Sequence, residues 1–72
     1  MRAFVDERGR AWEAVVGKES WGTLVILFSP RQGGEVRKSV LAAETPFGAT
    51  AELERLTDDE LRQRLAESVP WS

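Results

Sequence analysis

The chain has 72 residues, ten Lys and Arg against twelve Asp and Glu, a formal net charge of -2, and neither cysteine nor histidine. A domain this small buries only about 60% of the surface its unfolded chain exposes, so it can build one modest core and gains from association with a partner. The missing residue types exclude a disulfide framework, a thiolate zinc site, an imidazole base and the commonest metal ligand.

The first residues, Met1-Arg2-Ala3-Phe4-Val5-Asp6, turn charged at once, and no apolar run approaches the ~18 residues of a membrane span. Residues 1–72 are therefore read as a single cytoplasmic domain with no membrane contact. Val, Ile, Phe and Trp concentrate between glycine-containing breaks, which predicts strands at 2–6, 10–16, 23–29 and 35–42 within a β-part spanning 2–42. Asp6-Glu7-Arg8-Gly9-Arg10 reads as a tight hairpin with Gly9 in the left-handed position, and Pro30-Arg31-Gln32-Gly33-Gly34 as a longer one. Between them Gly17-Lys18-Glu19-Ser20-Trp21-Gly22 is a polar loop, so the simplest topology is a four-stranded antiparallel meander.

Glu44-Thr45-Pro46-Phe47-Gly48 reads as a break, followed by a helical turn at 50–56 within a connecting stretch of 43–56. Leu56-Thr57-Asp58-Asp59-Glu60-Leu61 carries the clearest local signal. Thr57 and Glu60 have the spacing of a capping box, Leu56 and Leu61 that of a hydrophobic staple, and Asp58 and Asp59 put negative charge where the helix dipole favours it. A helix over 58–68 follows, stopped by the restriction Pro70 places on Val69. The fold class expected is α+β, with this helix packed on one face of the meander.

Loop lengths suggest registers. Asp6 opposite Arg10 sets Phe4 against Trp12, with Ala14 and Val16 in phase; Ser29 opposite Glu35 sets Phe28 against Val36, Ile26 against Lys38 and Leu24 against Val40. That face is expected to form the core beneath Leu53, Leu56, Leu61 and Leu65, with Lys38 as its misfit, snorkelling to an edge. The opposite face receives Val25, Leu27, Arg37, Ser39 and Leu41, together with Ala3, Val5, Ala11, Glu13 and Val15 from the first two strands. Val25 and Leu27 make the third strand apolar on both sides, and one short helix covers one side only. Either the sheet curls towards a half-barrel or the second face meets another chain.

Chemistry has little to draw on. Asp58, Asp59 and Glu60 are accounted for by capping and lack the spacing of a calcium loop. Ser20, Ser29 and Ser39 have no histidine to activate them, and a Ser-Lys pairing with Lys18 or Lys38 has no motif. Gly33-Gly34 opens a strand rather than a phosphate-binding helix. No catalytic residue, metal, cofactor or small-molecule ligand is therefore expected.

Residues 1–43 carry seven basic and five acidic side chains, and residues 44–72 three basic and seven acidic. This asymmetry fits helix-dipole compensation and also fits selection of a partner by charge. The function expected is a non-catalytic protein-interaction or accessory module, with self-association as a homodimer its simplest form. Its interface candidates are Trp21, Val25, Leu27, Arg37 and Trp71, since large aromatics and arginine are common interface anchors. The alternative is a nucleic-acid-binding accessory domain using Arg31, Arg37 and Lys38, with Phe4, Trp12 and Trp21 as stacking platforms. An isoelectric point near 5.1 argues for weak binding at most. An enzyme subunit completed by another chain ranks third.

Overall fold

The computed structural model describes residues 1–71. They form an α+β fold, with strands β1 (Arg2–Val5), β2 (Ala11–Lys18), β3 (Leu24–Pro30) and β4 (Arg37–Val40), helices α1 (Pro46–Arg55) and α2 (Asp58–Ala66), and a last strand β5 (Val69–Pro70). All five strands belong to one antiparallel sheet in the order β1-β2-β3-β4-β5. Neighbours in sequence thus pair along the first four strands, as the meander reading expects. The sheet stays open, because β1 and β5 form its two edges and do not pair with each other. It is not a closed barrel.

Two elements differ from expectation. The stretch read as a break at 44–48 starts a ten-residue helix: the Thr45 side chain accepts from the Gly48 N–H at 3.0 Å and Pro46 opens the first turn. A missing N–H is harmless at that position and proline's φ is already helical, so Thr-Pro here marks a beginning. The residues after α2 add a fifth strand. Val69 pairs with Lys38 and Pro70 with Arg37, and the Trp71 N–H donates to the Val36 carbonyl at 2.9 Å. Proline is tolerated because this strand lies at the sheet edge.

The capping box at α2 forms as its sequence requires. Thr57 Oγ1 accepts from the Glu60 N–H at 3.1 Å, and Glu60 Oε1 accepts from the Thr57 N–H at 2.8 Å. These bonds hold the Glu60 carboxyl below the usual carboxylate range, the Thr57 backbone N–H first and its hydroxyl second, with Arg64 adding a smaller effect.

Both helices lie on one face. α1 rests over β2 and β3, and α2 reaches β1 and β4. The core beneath them comprises Phe4, Trp12, Ala14, Leu24, Ile26, Phe28, Leu41, Ala49, Leu53 and Leu61, with Val16, Ala43, Leu56 and Leu65 at its margin. Phe4 meets Trp12 in the expected register, and its ring stands edge-to-face on Phe28 at 5.9 Å. The Arg2 guanidinium crosses from β1 to the α1–α2 junction, donating to the carbonyls of Leu53 (3.0 Å) and Leu56 (2.6 Å) and to Asp58 (3.0 Å). Arg62 Nε donates to the Val5 carbonyl and Arg64 Nη1 to the Val40 carbonyl, so α2 is fastened to β1 and β4.

The β3–β4 register is displaced from the expected one. Phe28 faces Arg37, Leu27 faces Lys38, Ile26 faces Ser39 and Val25 faces Val40. The loop over residues 31–36 carries Gly33 and Gly34, both at positive φ (89° and 130°), and sets the pairing one residue away from Phe28 opposite Val36. Because strand side chains alternate, one residue of slip transfers every β4 side chain to the other face. Leu41 thereby enters the core, and Lys38 leaves it. The misfit lysine was a consequence of the wrong register.

Candidate functional site: the helix-free sheet face

The face opposite the helices takes its side chains from alternate strand positions. One row runs Val15, Leu27, Lys38, Val69 across four strands, and beside it lie Gly17, Val25 and Val40. Gly17 is required sterically. A Cβ there would stand 2.5 Å from Leu27 Cδ1 and 3.5 Å from Val25 Cγ2, so the Leu27 side chain occupies the space a larger residue would need. Val25 is fully buried and Leu27 half-buried with no helix above them.

Part of their cover comes from a charged side chain. Lys38, paired across the sheet with Leu27, ends in an ammonium that contacts the Glu19 carboxylate. The same ammonium lies 5.7 Å from the Trp21 ring centre and 5.6 Å from that of Trp71. Trp21 comes from the β2–β3 turn, closed by the Gly22 N–H to Glu19 carbonyl bond with Gly22 at φ 101°. Trp71 comes from the residue after β5. Glu19 is only 9% exposed, whereas Trp21 is 71% exposed. Around this cluster Val15, Val40 and Val69 open to solvent, with Val40 62% exposed, and Val5 is exposed at the β1 edge of the same face.

Of the five interface candidates, the structure brings Trp21, Val25, Leu27 and Trp71 to this face. It does not bring Arg37, which the register moves to the helix side. There Arg37 Nε donates to Ser68 Oγ at 2.8 Å, Nη2 to the Ser68 carbonyl at 2.6 Å and Nη1 to Glu35 at 2.8 Å. Val25 belongs to the face but is sealed within it. Val15 lies on this face as the phase of Trp12 and Ala14 requires, whereas Glu19, Val40 and Val69 join it unforeseen. The alternation of β2 and β3 carried a signal for Val15; Val40 and Val69 depended on the β4 register and on β5.

The residues proposed for nucleic acid do not gather. Arg31 pairs with Glu13 at 3.7 Å, Arg37 with Glu35 on the helix side and Lys38 with Glu19 on the opposite face. Phe4 and Trp12 are buried. Elsewhere, Asp6 accepts the Trp12 indole N–H at 2.8 Å and the backbone N–H groups of Arg8 and Arg10 at 2.9 Å each. Its carboxyl lies below the usual range, through Trp12 first, then the Arg10 N–H. Asp58, Asp59 and Glu60 are engaged with Arg2, Arg62 and Thr57 respectively.

Among the described residues, no group of three or more His, Cys, Asp or Glu could hold a metal ion, and no helix is long and apolar enough to cross a membrane. No family model, no curated protein and no solved structure matches the chain.

Proposed function

We propose that this chain is a small non-catalytic interaction module of the cytoplasm that associates with a second copy of itself through the helix-free sheet face. The observation that carries the reading is the set of exposed apolar side chains on that face: Val15, Val40, Val69 and Trp21 near half-buried Leu27, with Val5 at the β1 edge. Both helices pack on the other side, so nothing within the described chain covers them. A standard interface of about 800 Å² per partner would take up roughly a sixth of the 4628 Å² surface.

A second copy suits this face on grounds of charge. Its ionic groups are paired within the chain, Lys38 with Glu19 and Glu13 with Arg31, so the face meets its own image without a concentration of like charge. A two-fold arrangement requires such self-complementarity. Trp21 at the rim is the anchor this proposal favours, since a rigid aromatic buries much area for little lost rotamer freedom.

Sedimentation equilibrium tests the reading. The wild-type chain should be dimeric at micromolar to millimolar concentration, and the double variant Val40→Glu with Val69→Glu monomeric with an unchanged circular dichroism spectrum. Both positions are exposed, so the substitutions leave the core alone. A wild-type chain that remains monomeric throughout that range overturns the proposal.

A further inference from the structure

We infer that Trp21, Trp71 and Glu19 form a binding site for an alkylated ammonium group, and that Lys38 is its built-in occupant. Two indole rings and a carboxylate converge on one point, the Lys38 nitrogen, from two separate segments of the chain: Glu19 and Trp21 from the β2–β3 turn, and Trp71 from the residue after β5. Indole faces attract cations through the ring quadrupole, and aromatic groupings of this kind suit quaternary ammonium ligands. Glu19 supplies the counter-charge from a position that is 9% exposed, where a carboxylate without a cationic partner would be costly.

Lys38 fills the site without being the best cation for it. A primary ammonium is compact and strongly hydrated, so withdrawing it from water costs more than withdrawing a trimethylated one. It also stands on a flexible four-carbon stem, the side chain as a whole being 20% exposed, and can swing into solvent without moving the backbone. Trp21, 71% exposed, leaves the approach to the cluster open from outside. Lys38 therefore acts as a tethered competitor, at an effective concentration on the order of millimolar. An incoming trimethylammonium group displaces it and contacts the same two rings and the same carboxylate.

The inference does not depend on self-association, and the test is made on dilute chain. Choline is titrated while the indole N–H signals of the three tryptophans are followed by NMR. Trp12, bonded to Asp6 on the helix side, is the internal reference for an intact fold. Lys38→Met keeps an apolar stem over Leu27 while removing the charge. Choline should shift the Trp21 and Trp71 signals in this variant at least about tenfold more readily than in the wild type, as release from a tethered competitor requires. Lys38→Gln repeats the measurement with a polar end group, and adding Trp71→Leu should abolish the response. A peptide carrying trimethyllysine separates a chain-borne ligand from a free one by which binds more tightly. The inference is overturned if the wild-type chain shows no response at high choline, if wild type and Lys38→Met respond equally, or if the neutral isostere 3,3-dimethylbutanol acts as well as choline.

Discussion

Replacing Arg2 with Met should lower stability by about 2 kcal/mol, although Arg2 lies beside the N-terminus and belongs to a four-residue edge strand. Its guanidinium donates to the Leu56 carbonyl just past α1 and to the Leu53 carbonyl, whose one backbone partner is the Leu56 N–H at 3.3 Å. Hydrogen bonds to a charged donor contribute about 1.5–3 kcal/mol each, so these two supply roughly 3–6 kcal/mol. Pinning the arginine removes up to about 2 kcal/mol of rotamer entropy, and water re-solvates part of what is freed, which brings the net to about 2 kcal/mol. The Asp58 contact adds little, since that carboxylate is half exposed. For a domain of this length the loss corresponds to a fall in Tm of roughly 8–16 °C. Thermal and urea unfolding followed by circular dichroism measure it. Arg2→Lys should recover only part, because an ammonium lacks the planar fork that spans several acceptors. Midpoints for Arg2→Met equal to those of the wild type would show that the helix junction holds without the guanidinium.

Thr57→Ala should cost about 0.5–2 kcal/mol in urea unfolding through loss of the α2 cap, and an unchanged midpoint would exclude that role. Gly17→Ala should destabilise by about 1–2 kcal/mol, since its Cβ meets Leu27, and Leu27→Ala in the same chain should restore part of the loss if that collision is the cause. Asp6 and Glu60 both titrate below their ordinary range in the folded chain, so their stabilisation is complete above the unfolded carboxylate value, about pH 4, and is lost as pH falls through the folded values. The unfolding midpoint should therefore drop in acid, and Asp6→Asn with Glu60→Gln should flatten that drop.

What the sequence made legible was local. Strands β1 to β3, the first hairpin register and the α2 capping box each rest on residues within a few positions of one another, and each formed as read. The β4 register failed because it depended on how many residues a loop with two glycines at positive φ would take, which composition does not specify. The helical turn expected at 50–56 is the later part of α1; its start escapes the sequence reading because Thr45-Pro46 looks like punctuation, when the same pair serves as cap and first turn. β5 and the tie from Arg2 to the helices join residues 31 to 54 positions apart, and no periodicity announces such contacts. The candidate face inherited these errors. Trp21, Leu27 and Trp71 were placed on it, Arg37 was not found there, and the Glu19–Lys38 pair went unforeseen because Lys38 had been assigned to the core side.

The pairing of neighbouring strands has a kinetic consequence. Apart from the short β4–β5 contact, every ladder of the sheet joins segments separated by a single loop, so the entropy of closing long loops is deferred until the helices and β5 dock. Chains dominated by short-range pairing fold faster than those that must first bring distant strands together. The longest ladder, from Trp12 opposite Pro30 to Lys18 opposite Leu24, is the natural nucleus. Substitutions within β2 and β3 should then slow folding, whereas those at Arg2, Ser68 or Trp71 should chiefly speed unfolding.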